Sequence, residues 1–190
     1  MNREPGEPSD NELVAQSLAG QDRVFAEIVR RHREALYRIA VVSLGNAEDA
    51  LDAVQDIFVA AHTALRRFDG TRPLRPWLAT IALNRCRDLA RRRRVRRFLA
   101  FALPMDDAIE SIALDMPSAE TAAADREELD RTVKAIAALP AALREPLILH
   151  TVSDLSQAET ARILDITEKA VETRLRRARQ QLRSALGTTD

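Results

Sequence analysis

Ser156-Gln-Ala-Glu-Thr-Ala-Arg-Ile-Leu-Asp-Ile-Thr-Glu-Lys-Ala-Val-Glu-Thr-Arg-Leu-Arg-Arg-Ala-Arg-Gln-Gln-Leu-Arg183 decides how the rest of the chain is read. Ser156 and Glu159 have capping-box spacing, so a short helix opens there, with Ala158, Ala161, Ile163 and Leu164 on its apolar side. Asp165-Ile166-Thr167 breaks it, and Thr167 is placed to cap a second helix from about Glu168. Val171, Leu175, Ala178 and Leu182 fall at spacings of four, three and four and form one buried stripe. Lys169, Glu172, Thr173, Arg174, Arg176, Arg177 and Arg179 lie largely outside that stripe. The pattern is a helix-turn-helix whose second helix can enter a major groove. Its early residues would meet base edges and its arginines phosphates. The competing reading is an amphipathic surface helix with a solvated basic face, which the capped helix before it disfavours.

Upstream, the formal net charge of zero over 190 residues conceals segregation. Arg85 to Arg97 holds eight arginines against the single acid Asp88, whereas Phe98 to Asp125 holds six acids and no Lys or Arg. No strand alternation appears, so the chain reads as all-α. Two small helical domains, residues 1–100 and 126–190, flank an acidic flexible linker over 101–125. In the first, Asp22 can open a helix bearing Phe25, Ile28, Val29, His32, Leu36 and Ile39, which Gly45-Asn46 ends. Val54, Ile57, Phe58, Ala61, Leu65 and Phe68 mark the next. Gly70 to Pro76 reads as a loop, and a fourth helix runs from about Pro76 into the arginines. Pro146 is tolerable in the second domain if it falls in or near a first turn.

One cysteine, Cys86, excludes an internal disulfide, and no apolar stretch approaches the ~18 residues of a membrane span. With polar, acidic first residues and no secretory signal, a cytoplasmic protein without membrane insertion is expected. His32, His62 and His150 lie far apart and Cys86 has no CxxC partner, so neither a metal site nor a cofactor is expected. No glycine-rich phosphate loop or catalytic constellation supports an enzyme.

Over nearly all of its length the chain resembles the extracytoplasmic-function (ECF) group of bacterial RNA polymerase sigma factors. Asp49-Ala-Leu-Asp-Ala-Val-Gln-Asp-Ile-Phe-Val59 resembles the family's conserved region-two helix. Asp69-Gly and Pro76-Trp-Leu-Ala-Thr-Ile-Ala-Leu-Asn-Arg-Cys-Arg-Asp-Leu-Ala-Arg-Arg93 resemble its promoter-melting segment. Leu139-Pro, Arg144-Glu, Leu155-Ser-Gln-Ala-Glu-Thr-Ala and Val171-Glu-Thr-Arg-Leu-Arg-Arg-Ala-Arg resemble region four.

The resemblance implies a factor that binds core RNA polymerase and directs initiation at promoter DNA, held in check by a membrane-anchored anti-sigma protein. It implies polymerase docking by Asp49, Asp52, Gln55, Asp56 and Phe58, with core packing the competing role for Phe58. It implies -10 contacts by Arg72, Trp77, Asn84, Arg87, Asp88, Arg91, Arg92, Arg93 and Arg94, with Trp77 equally suited to a core. The -35 contacts fall on Lys169, Glu172, Thr173, Arg174, Arg176, Arg177 and Arg179. Lys169-Ala-Val-Glu-Thr-Arg174 departs from the family's usual Gly-Thr-Val-Lys/Arg-Ser-Arg run by a methyl for a hydroxyl and an acid for a cation, and Asp165 stands at the turn where the family frequently has glycine, a left-handed position that Asp tolerates better than most residues. The acidic linker either mimics a nucleic-acid backbone on the polymerase or is a plain tether. Two other functions remain open: a helix-turn-helix regulator with a helical sensor domain, and a sigma-like decoy for an anti-sigma protein.

Overall fold

The computed structural model describes residues 7–102 and 120–187, in which all regular structure is helical. The first block comprises α1 (Asp10–Leu18), α2 (Asp22–Leu44), α3 (Ala47–Ala64) with a 3-10 turn (Leu65–Arg67), and α4 (Leu74–Ala102). The second comprises α5 (Glu120–Ala138), α6 (Ala141–Leu147), a π-helical turn (Ile148–Val152), α7 (Gln157–Leu164) and α8 (Glu168–Leu186). The all-α expectation is borne out.

The punctuation follows side-chain chemistry. Gly45, at φ 82°, ends α2 in the left-handed region, and the Asn46 carboxamide accepts from the Asp49 N–H at 2.8 Å to start α3. A Cβ on Gly45 would lie 3.0 Å from Ala137 Cβ of α5, so the same glycine allows the two blocks to approach. Ser156 and Glu159 form the reciprocal capping box of α7, and Thr167 Oγ1 accepts from the Ala170 N–H at 3.1 Å. Between them Asp165 is left-handed at φ 52°, as expected of the turn.

Four features differ from the sequence reading. Helix α1 was not foreseen, although Ser9-Asp-Asn-Glu12 is a capping box with both reciprocal bonds formed. Helix α4 begins at Leu74, so Pro76 lies inside its first turn, where a missing N–H leaves no bond unmade. Helix α5 begins at Glu120, so the end of the expected linker is helical, while residues 103–119 lie outside the described residues. Pro146 is the sixth residue of α6, beyond its first turn, and the helix continues by widening into the π turn. Ser153 N–H then donates to Ile148 C=O, and His150 Nδ1–H donates to Leu155 C=O at 2.8 Å.

The larger core packs α1 to α4 around Ile28, Ile39, Ile57 and Leu78. Each such side chain contributes about 1.5–3 kcal/mol when fully buried. Ile148, Leu149 and Leu155 from the second block join this core, so the two blocks share apolar packing. The smaller core holds Leu139, Leu147, Ala161, Val171, Leu175 and Ala178, joining α6, α7 and α8. Among the described residues no helix is long and apolar enough to cross a membrane. No group of His, Cys, Asp and Glu among them could hold a metal.

Candidate polymerase and promoter interfaces

Along α3 the buried side is Ala50, Ala53, Val54, Ile57, Phe58 and Ala61, which leaves Leu51, Asp52, Gln55, Asp56 and Val59 exposed. Val59 is 66% and Leu51 49% exposed, so two uncovered apolar side chains lie among acids. Such a face suits a partner that offers cations around an apolar seat. Phe58 is not on it. Its ring is buried and meets Phe25 edge-to-face at 6.4 Å, so core packing prevails over a docking contact. Asp49, at the start of the same helix, is ion-paired with Arg93 of α4.

The loop before α4 is held by its own side chains. Asp69 accepts from Thr71 N–H (3.0 Å) and Thr71 Oγ1–H (2.7 Å) and pairs with Arg72 at 3.1 Å. Thr71, then Arg72, keep the Asp69 carboxyl below its ordinary value. From α1, Asn11 Nδ2–H donates to Gly70 C=O at 2.7 Å, so the unforeseen helix tethers this loop. Trp77 is half-buried and stacks at a tilt on Phe68 with centroids 5.2 Å apart. The two rings form one wall of a cleft of about 520 Å³, whose rim carries Arg67 and Arg72 and whose far side is Glu159, Arg162 and Ile163 of α7.

Further along α4, Arg87 reaches into the second block. Its Nε–H and Nη2–H donate to both carboxylate oxygens of Glu145, each at 2.6 Å, and its Nη1–H donates to Asn84 at 3.0 Å. Glu145 is 9% exposed, so this is a partly desolvated bidentate pair and raises the Arg87 pKa further. Arg75 pairs with Asp154 at 3.1 Å. Asp88 pairs with Arg91, whose guanidinium stays exposed, and Arg92, Arg94 and Arg96 are exposed along the same helix.

Helix α8 is arranged differently. Val171, Leu175 and Ala178 are buried against the small core, leaving Lys169, Glu172, Arg176, Arg177 and Arg179 exposed and Thr173 and Arg174 partly so. Lys169 Nζ–H donates to Glu172 at 2.6 Å, and Thr173 Oγ1–H donates to Lys169 C=O at 2.9 Å. The hydrogen bond from Lys169 holds the Glu172 carboxyl below its ordinary value.

A buried helix-turn-helix scaffold with a basic outer face thus follows a block in which an aromatic-lined loop leads into an arginine-rich helix. The family models agree with that order: "Sigma-70 region 2" matches residues 28–108 and "Sigma-70, region 4" matches residues 129–182. The RNA polymerase sigma factor CnrH of Cupriavidus metallidurans is 43% identical over 183 residues, 95% of each chain. The chain belongs to the ECF group of the sigma-70 family.

The ECF sigma factor SigM of Mycobacterium tuberculosis is also similar, 33% identical over 95% of this chain and 86% of SigM. The solved structure of CnrH in complex with the cytosolic domain of CnrY superposes with a TM-score of 0.71 at 34% identity, covering 96% of this chain and all of that one. This sigma factor is a transcription initiation factor. Within it the structure brings together residues that spacing could not. Arg87 and Glu145 are 58 positions apart, and Arg75 and Asp154 are 79 apart. Glu145, Asp154, Glu159 and Arg162 carried no signal pointing to α4 or the loop before it, because contacts across two helical blocks leave no local period.

Proposed function

We propose that the exposed face of α3 docks on core RNA polymerase, that the Asp69–Trp77 loop and α4 engage and melt the -10 element, and that α8 reads the -35 element. In an ECF sigma factor these three tasks are what direct initiation to a promoter. The observation that carries the assignment is the pairing of two separate cationic helices, α4 and α8, with one acidic, partly apolar face on α3. Cations track phosphate and the Phe68–Trp77 wall offers stacking surface to an unstacked base. Asp52, Gln55 and Asp56 carry the polymerase contact, with Leu51 and Val59 replacing Phe58 as the apolar part.

The polymerase partner puts the protein in the cytoplasm. We further assign it an anti-sigma partner with a membrane anchor, on the strength of the similarity to CnrH, which is solved with the cytosolic domain of CnrY. The test is runoff transcription by bacterial core polymerase on promoter fragments from the source genome at fixed moderate salt. Protein-dependent initiation from a shared -35 and -10 pair is expected, and it should fall at least tenfold in Asp52→Arg/Asp56→Arg. Duplex binding without polymerase-dependent initiation would instead make the chain a regulator or decoy.

A further inference from the structure

Glu172 needs a reason to be where it is. The other acid of α8, Glu168, sits in the first turn, where the helix dipole favours it. Glu172 lies in the second turn, on the side facing away from Val171, Leu175 and Ala178, with Arg176 as its neighbour one turn on. A carboxylate presented to a duplex is repelled by phosphates on both sides of the groove. Helix stability is a weak explanation: Arg176 one turn on is in the favoured order for an exposed pair, but such a pair contributes only about 0.2–0.5 kcal/mol. Nor is the pair held by packing: the Lys169 and Glu172 side chains are 80% and 58% exposed.

What the pair presents is an ammonium and a carboxylate side by side, 2.6 Å apart, at the early part of the helix that meets base edges. In the major groove an oriented G·C pair offers the matching sequence. Guanine N7 and O6 accept, and the adjacent cytosine N4–H₂ donates. Adenine N7 and N6–H₂ could also face this pair, but guanine turns two acceptors, O6 and N7, to the ammonium while cytosine N4–H₂ is left to the carboxylate, so G·C is the better match. Reversing the base pair sets the carboxylate against two acceptors. The Thr173 hydroxyl proton is already given to Lys169 C=O, so toward a base it can act only as an acceptor.

We propose that Lys169 and Glu172 act as one unit that reads an oriented G·C pair in the -35 element, Lys169 donating to guanine and Glu172 accepting from cytosine. The inference rests on α8 being the -35 reader. Its test is barcoded runoff transcription by core polymerase plus the full chain on templates with a randomised -35 element and a fixed -10 element.

The wild type should prefer G·C over C·G at one position by about tenfold or more. Glu172→Ala should reduce that preference to within about threefold without altering preferences elsewhere. Lys169→Glu/Glu172→Lys keeps an exposed ion pair in the favoured order, though it sets a second cation one turn before Arg176, and should invert the preference to C·G. Melting of each variant by circular dichroism checks that the helix persists. If both variants keep the wild-type base profile while Arg177→Ala weakens initiation, the G·C assignment is overturned and α8 remains the reader. If the wild type has no -35 preference at all, the assignment of α8 falls and this inference with it.

Discussion

Helices α4 and α8 are both cationic, yet one is partly covered by the rest of the molecule and the other is open. On α8 the basic face looks away from its small core, and the ion pair within its early turns, between Lys169 and Glu172, is local. On α4 the half nearest the melting loop is engaged across the chain: Arg87 by Glu145, Arg75 by Asp154, and the Phe68–Trp77 wall by α7 over the cleft. Arg87 cannot hold Glu145 bidentately and grip DNA at once. In this arrangement the proposed -35 surface on α8 is open, while part of the proposed -10 surface on α4 is occupied by acids of the same chain; on that proposal the second block would have to leave the first before Arg87 could act on a promoter.

The largest effect should come from breaking the open side from within. Leu175 is 2% exposed in a core of few residues, so Leu175→Ala should cost about 2–5 kcal/mol and unfold α6 to α8. Hydrogen exchange should show α1 to α4 still protected, since the larger core keeps its own buried isoleucines. Uniform loss of protection would show that the shared packing of Ile148, Leu149 and Leu155 makes one cooperative unit. Next comes the covered side. Glu145→Ala leaves Arg87 without its bidentate partner and should weaken docking by about 1.5–3 kcal/mol. The single cysteine reports it: Cys86 on α4 is 4% exposed, lies near enough to Arg144 of the second block to feel its charge, and burial lifts its thiol to about 11, so little thiolate exists at neutral pH. Its reaction rate with a disulfide reagent at fixed pH should rise about tenfold or more in Glu145→Ala, 1.4 kcal/mol being tenfold. An unchanged rate would mean that the ion pair contributes nothing to closure.

The contrast between the two readers also separates what could be read in the chain from what could not. The helix-turn-helix was legible almost residue by residue, because its capping box, left-handed Asp165, Thr167 cap and Val171 stripe are all local. Helix α1 was legible in principle from Ser9 and Glu12. Period puts Phe58 in the α3 apolar stripe and leaves Leu51 out; the docking role comes to Phe58 from the resemblance, and its packing against Phe25 shows why the period reading holds. The occupation of Arg87 was not legible at all, because its partner lies in another block and is a lone acid followed by a proline.

A smaller change tests how closely the blocks meet. Gly45→Ala would place a side chain on a left-handed residue and a Cβ 3.0 Å from Ala137. About 1–2 kcal/mol of backbone strain is expected. At roughly 2–4 °C per kcal/mol for a chain of this size, the melting temperature should drop by a few degrees. Cys86 reactivity should rise with it if the α2 to α5 approach holds the halves together. A drop in melting temperature with no change at Cys86 would confine the effect to the end of α2.

The smallest expected effect lies where the two blocks meet, at the start of α7. Glu159 belongs both to the capping box and to the cleft over Trp77. Its carboxyl is held below the ordinary value by the Ser156 hydroxyl and then the Ser156 N–H. A carboxyl whose folded pKa is depressed stabilises the fold fully above its unfolded value of about 4.3, and that contribution is lost as pH falls through the folded value. Acid titration below about pH 4.3 should therefore loosen α7 in the wild type. Ser156→Ala should lower stability by about 1 kcal/mol at neutral pH and flatten this acid limb. If the variant loses stability but keeps the limb, Glu159 owes its depressed pKa to the nearby Arg162 and Arg75, and the box is held by charge across the cleft more than by the cap.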